Sequence, residues 1–427
     1  MHPGHKAADE KMRAAGVPDA AREAFARAFQ RLLDGDRGVV HGDELEPVHD
    51  LPALDDLPEA GAPPALDRAV VIKLNGGLGT SMGLHAPKSL IEVKPGVSFL
   101  DVIVRQVLAL RARHDVRLPL VLMDSFATRE ETLAAFAAYP DLPVGDLPLD
   151  FLQSMEPKLL ADSLEPVEWP ADPGLEWAPP GHGDIYPALA GSGMLDDLIS
   201  HGYEYAFVSN SDNLGAVLDP RILAWFASEA LPFLMEVVEG TEADRKGGHI
   251  ARRDGRLLLR ETAQAPEGDH SFGDFERWRH YNTNNLWIRL AAVRGLGGVV
   301  DLPLIVNRKT IDPSDPGSPE VVQLESAMGA AIGAIDGAAA LRVPRARFAP
   351  VKTTDDLLVV RSDAYVLRED DALMVPAPER EGMPPPVVEL DPRYFKLLAD
   401  FEARFPSGPP SLLRAERLEV RGDVTFP

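Results

Sequence analysis

The apolar run Ala69–Ile72 passes directly into LNGGLGTSMGLHAPKS at residues 74–89. A strand-length hydrophobic stretch that ends in a glycine-rich bend leaves few architectures open. The strand must be buried, and the bend must lie at its carboxyl end, where open α/β sheets hold their ligands. Glycines let a backbone approach a polyanion and offer N–H groups to it. Lys88 then adds a full positive charge close by. Geometry and charge suggest a nucleoside triphosphate site, with a ligand-free strand-to-helix turn as the competing reading. Two common phosphate loops fail on spacing. A P-loop would need glycine where Pro87 and Met82 stand. The dinucleotide fingerprint fails because Gly77, Gly79 and Gly83 are spaced G-x-G-x-x-x-G.

The rest of the chain alternates in the manner of an α/β protein. Residues Ala69–Leu74, Leu118–Met123, Glu204–Ser209 and Pro232–Val238 are short apolar runs bounded by polar turns. They predict strands buried on both faces of a mostly parallel sheet. Thr128 and Glu131 have capping-box spacing and predict a helix over 129–138. Asp254-Gly255, between HIAR and RLLL, predicts a hairpin. Near the N-terminus, Phe25, Ala28, Phe29 and Leu32 recur at helical spacing within 19–33, a helix docked on the main body. Residues 44–66 are acidic and proline-rich and read as a connector. After Tyr365 the pattern changes: 370–392 is rich in proline and acid, Tyr394–Phe405 reads as helix and Leu418–Phe426 as one strand. The expected organisation is an N-terminal helical extension and linker (1–66), a main α/β body with a mixed sheet (67–366) and a short C-terminal region (367–427).

Charge and composition narrow the partners. A net charge of −24 argues against nucleic acid or an anionic membrane. It also means that any phosphate ligand must be held locally, by a few cations, backbone dipoles and a divalent metal. There are no cysteines, so disulfides, thiolate metal sites and cysteine nucleophiles are excluded. No apolar run is long enough to span a membrane, and MHPGHKAADEK is not a signal peptide. A cytoplasmic protein fits these features.

Further blocks follow the glycine bend: MDSF (123–126), FLQS (151–154), PPGHGDIY (179–186), FVSNSDNLG (207–215), RKGGH (245–249), NTNNLW (282–287), QLESAMGAAI (323–332) and RFAPVKTTDDLL (347–358). Together and in this order they resemble the eukaryotic-type UTP–glucose-1-phosphate uridylyltransferases, the UDP-glucose pyrophosphorylases, from about Val71 to the C-terminus. The resemblance implies a three-layer α/β/α nucleotidyltransferase domain. In that family a left-handed β-helix follows the catalytic domain, whereas here the sequence stops at GDVTFP, near its start. Oligomeric state, monomer or small homo-oligomer, is left open.

The implied reaction is attack by a phosphate oxygen of glucose 1-phosphate on the α-phosphorus of UTP, with pyrophosphate leaving. The nucleophile is already an anion, so alignment and charge neutralisation suffice. Lys88, Asp212 and Lys352 are the implied catalytic residues. Asp212, in a turn after the strand EYAFVS, suits Mg²⁺, which takes one or two protein carboxylates plus phosphate oxygens. UTP is expected on Leu74, Asn75, Gly76, Gly77, Lys88, Met123, Gln153, Gly181, Asp212 and Lys352. Within that set Gln153 presents an amide to the imide edge of uracil. Glucose 1-phosphate is expected on His182, Asn210, Gly247, Gly248, Glu261, Asn282 and Asn284.

Three alternatives remain. UDP-N-acetylhexosamine pyrophosphorylases carry an arginine in the glycine loop where Ser81 stands here. A broad UDP-sugar pyrophosphorylase would differ only in sugar selectivity. A non-catalytic sugar-nucleotide sensor would be expected to have lost a lysine or the carboxylate.

Overall fold

The structure is a computed structural model and describes residues 2–36, 38–59, 64–245 and 247–427. Lys246 of the RKGGH block, residues 60–63 of the expected connector and the side chain of Ser81 lie outside the described residues. The chain forms two compact units. The first comprises Met1–Ala69, Phe151–Val208 and Pro220–Val343; the second comprises Val70–Asp150, Ser209–Asp219 and Pro344–Pro427.

In the first unit the N-terminal helices Pro3–Ala14 and Asp19–Leu33 bury one face each. Phe25, Phe29 and Leu32, predicted from spacing, join Ala8, Met12, Leu159, Val322 and Leu324 in one apolar cluster, with Ala28 partly buried against it. The long strand His280–Arg289 organises this unit. Tyr205–Val208 and Phe233–Glu239 pair with it antiparallel, and Ala339–Arg342 runs parallel to the latter. The hairpin appears as predicted: His249–Arg253 pairs with Arg256–Arg260. Asp254 and Gly255 take φ of 52° and 78°, the left-handed pair such a two-residue turn requires.

The acidic, proline-rich stretch at 44–66 is not a free connector. Glu46–Pro47 pair with Ala251–Arg252, and Ala53 bridges Arg342. Leu45, Val48, Ala53, Leu54, Leu57, Ala65 and Leu66 are all buried. Isolated apolar residues between the acids and prolines anchor it, and a proline suits an edge where no ladder donor is needed.

In the second unit Val71–Asn75 and Leu120–Asp124 run parallel, with Leu74 beside Met123 and Asn75 beside Asp124. The helix Phe99–His114 starts on a complete capping box between Ser98 and Asp101. The helix expected over 129–138 spans Arg129–Phe136, and its capping box does not form. The Thr128 hydroxyl is already engaged, accepting from Ser125 N at 2.9 Å and donating to Asp124 at 3.2 Å. At the C-terminus the expected helix is two short ones, Pro392–Phe395 and Leu398–Arg404. The expected strand is shorter too, Arg417–Val420, parallel to Val387–Leu390. Gly422, with φ of 86°, ends its extended run. No helix of the described residues is long and apolar enough to cross a membrane.

Candidate active site

The strand Ala69–Asn75 delivers the glycine bend at its carboxyl end. The bend is closed by its own backbone: Lys88 N donates to Gly77 O at 3.2 Å, and Leu78 bridges Pro87. A Cβ at Gly77 would meet no protein atom within 4 Å, so internal packing does not explain that glycine. The bend therefore presents bare backbone to open space, as close approach of a polyanion demands. Lys88 Nζ lies 2.6 Å from Asp212 Oδ2, and both side chains are largely buried. The other carboxylate oxygen, Asp212 Oδ1, is buried without a hydrogen-bond partner.

Lys352 reaches the same place through the backbone. Val351 N donates to Asp212 O at 3.1 Å, and Pro350 bridges Asn213. Asn213 ties the two segments further, donating to Arg347 O at 3.1 Å and accepting from Ala349 N at 3.1 Å. The Thr353 capping box then starts the helix Thr354–Arg361 and leaves Lys352 exposed just ahead of it. The second unit thus brings together Leu74, Asn75, Gly76, Gly77, Lys88, Met123, Asn210, Asp212 and Lys352. Met123 is buried at the end of its strand. Asn75 lies in the stretch expected to present backbone, and its side chain has a separate task. Its amide donates to Asp124 at 2.7 Å and to Thr132 at 3.0 Å. Burial pushes the Asp124 carboxyl up to about 6.

The residues expected to hold the sugar phosphate, Asn210 apart, belong with Gln153 and Gly181 to the first unit. Strand alternation divides NTNN between two faces. Thr283, Asn285 and Trp287 donate to Glu236, at 2.7 Å to its carbonyl and at 3.0 and 2.9 Å to its fully buried carboxylate. Asn282 and Asn284 bond each other instead: Asn282 Nδ2 donates to Asn284 Oδ1 at 2.8 Å, and Asn284 N to Asn282 Oδ1 at 2.9 Å. Asn284 takes φ of 57°, an uncommon conformation inside a strand. Asn282 N donates to Gly248 O at 2.9 Å. A Cβ at Gly248 would lie 2.6 Å from Glu261 Oε2. Gly247, Gly248, Glu261, Asn282 and Asn284 therefore form one polar shelf.

His182 joins this shelf through residues 326–329. Its Nδ1 accepts from Met328 N at 2.9 Å, and a Cβ on the next residue, Gly329, would lie 3.0 Å from Asn282 Nδ2. An imidazole whose Nδ1 accepts a backbone N–H carries its proton on Nε2, so His182 is a fixed neutral donor. Burial pushes its pKa down to about 4. Gly181 has φ of 77°, and a Cβ there would lie 2.5 Å from Ser326 O. Asp184 accepts from Ser154 N, which holds the loop carrying Gln153; burial pushes Asp184 up to about 7. Ser154, Asp184, Glu236, Ser326 and Met328 were not singled out from the sequence. All but Glu236 lie inside quoted blocks, and an alternation count along NTNN would have flagged an inward partner for Thr283 and Asn285.

Among the described residues, no three His, Asp or Glu side chains cluster into a complete metal cage. The partnerless Asp212 Oδ1 suits an ion that completes its shell with phosphate oxygens and water, which is the habit of Mg²⁺.

A lysine–carboxylate pair at a strand-ending glycine bend, on this α/β frame, defines the nucleotidyltransferase class. The sequence profile of the UTP–glucose-1-phosphate uridylyltransferases matches residues 22–427. The chain belongs to that family. The potato (Solanum tuberosum) enzyme is 42% identical over 395 residues, 92% of this chain and 79% of its own. A probable enzyme of Schizosaccharomyces pombe is 43% identical over 365 residues, 84% of this chain and 71% of its own. Among solved structures, a variant of Leishmania major UDP-glucose pyrophosphorylase in complex with UDP-glucose has a TM-score of 0.93 at 45% identity, over 99% of this chain and 92% of that one.

Proposed function

We propose that the chain carries out its family's reaction, formation of UDP-glucose and pyrophosphate from UTP and glucose 1-phosphate, by direct in-line attack on the α-phosphorus. The observation that carries this reading is the meeting of Lys88 and Asp212 at the open glycine bend, with Lys352 tied to the same turn. The backbone of Leu74–Gly77 receives the nucleotide, and Gln153 reads the uracil edge. Lys88 and Lys352 neutralise charge on the triphosphate. With phosphate bound, Lys88 exchanges part of its contact with Asp212 for a phosphate oxygen. Asp212, whose Oδ1 has no hydrogen-bond partner, would hold Mg²⁺, and the chemistry it would supply is neutralisation of phosphate charge. The Nε2–H of His182 donates to the sugar phosphate without changing its protonation state. Asn282, Asn284, Glu261 and the Gly247–Gly248 backbone supply the mixed donors and acceptors that a polyhydroxylated ring needs. No residue acts as general base, because the attacking oxygen is already ionised.

The test is pyrophosphate release across UTP, other nucleoside triphosphates and several sugar 1-phosphates, with and without Mg²⁺. The expected result is rapid release only with UTP plus glucose 1-phosphate and only with the metal. Absence of release with that pair would defeat the reading. Preference for N-acetylglucosamine 1-phosphate would move the assignment to the related pyrophosphorylases.

A further inference from the structure

Lys73 is used by none of the steps above. It sits in the strand Ala69–Asn75, among apolar neighbours, and is 2% exposed. An ammonium buried in such a place is unfavourable unless its donors are satisfied. A methionine or leucine would suit a strand covered on both faces equally well. Lys73 Nζ donates to Ser209 Oγ at 2.7 Å and to Ala216 O at 2.6 Å. These two atoms bracket the segment that carries Asn210 and Asp212. The same strand also meets that segment through its backbone, since Ser211 N donates to Leu74 O at 3.2 Å.

We propose that Lys73 is a positioning residue: its ammonium clamps both ends of the 209–216 segment, so that Asp212 is held in fixed register with the glycine bend that grows from the same strand. Asn213 fastens the far side of that segment to Arg347 and Ala349. Lys73 fastens its inner side to the strand. Strand, bend, carboxylate and Lys352 then share one rigid origin, which is the requirement for a metal carboxylate that must meet phosphate oxygens at fixed places. This inference rests on the reading of Asp212 as the metal-binding carboxylate.

The experiment compares wild type with Lys73→Met, Ser209→Ala and Asp212→Asn. Binding of Mn²⁺ to the enzyme–UTP complex is read by electron paramagnetic resonance. The Mg²⁺ concentration for half-maximal rate and the KM for glucose 1-phosphate are measured alongside. Lys73→Met is expected to weaken Mn²⁺ binding and raise the Mg²⁺ requirement about tenfold or more, the usual effect of losing a group that orients a metal ligand. Ser209→Ala should shift both in the same direction by a smaller factor, and KM for glucose 1-phosphate should rise alongside in both, since the same segment carries Asn210. Lys73→Met or Ser209→Ala enzymes that lose thermal stability yet bind Mn²⁺ as wild type does would overturn the proposal. Should Lys73→Met fail to fold, Ser209→Ala decides the matter alone: unchanged metal affinity overturns, a weakened one supports. Asp212→Asn separates the two levels. If it retains wild-type Mn²⁺ binding, the reading of Asp212 itself is wrong. If it loses binding while the other two keep it, only the role of Lys73 falls.

Discussion

Lys88 and Asp212 are 124 residues apart in the chain and 2.6 Å apart in space. Neither charge is dispensable if the site neutralises a triphosphate in a water-poor setting. Replacing Lys88 or Lys352 by methionine should cost about 3–4 kcal/mol of transition-state stabilisation, a few hundredfold in kcat. Steady-state kinetics at saturating Mg²⁺ checks this, and near-wild-type turnover in either variant contradicts it. Asp212→Asn combined with Lys88→Met should cost less than the sum of the two single changes, because the partners contact one another. The types of these residues were legible from the motifs that surround them. Their pairing was not, because a contact across such a separation is written in tertiary packing rather than in spacing. Lys73 left a weaker signal, one charge inside an apolar strand. Asn75 shows another limit: its side chain, given no role from the sequence, donates to Asp124 and Thr132, partners that only the fold brings near.

At the scale of elements, glycine identity follows from position. Gly181 combines φ of 77° with carbonyl oxygen Ser326 O lying 2.5 Å from any added Cβ. Gly181→Ala should therefore destabilise the protein by about 1–3 kcal/mol. It should also raise the KM for substrates, because the loop it moves carries His182. Denaturant unfolding and kinetics on the same preparation test this together, and a variant with wild-type values for both would show that the loop tolerates the shift. Where local chemistry decided the outcome, as in the Asp254-Gly255 hairpin and the helix Asp19–Leu33, the sequence was sufficient. It misled where a local signal was outbid by a neighbour. Thr128 has the capping spacing, yet its hydroxyl serves Ser125 and Asp124. The stretch at 44–66 has connector composition, yet its scattered leucines are docked. Composition averages over a segment, whereas docking depends on which few side chains meet a groove.

At the scale of the molecule, stability against pH has opposing contributions in the first unit. Burial holds the His182 imidazole at about 4 against 6.5 when unfolded, and His249 at about 3. His249 is stacked on Trp278 with ring centroids 4.6 Å apart, and neither of its ring nitrogens has a hydrogen-bond partner. As pH falls below 6.5 the unfolded chain takes up protons that these two rings refuse, so stability declines toward acid. Asp184 acts the other way. Burial raises its carboxyl from 3.8 to about 7, so the folded protein keeps a proton there that the unfolded chain has released. That contribution is fully present below 3.8 and is lost as pH rises to about 7. Net charge adds a self-repulsion common to all variants, so differences between variants isolate each group. Asp184→Asn keeps an oxygen to accept from Ser154 N and cannot ionise. Its Tm relative to wild type should climb as pH rises from 3.8 to about 7 and then level off. His249→Phe keeps the stacking and cannot be protonated. Its Tm relative to wild type should climb in the opposite sense, as pH falls from 6.5 toward about 3. Calorimetric Tm values for the three proteins across that range decide the matter: two difference curves that are flat, or that slope the same way, would mean that burial does not set these protonation states.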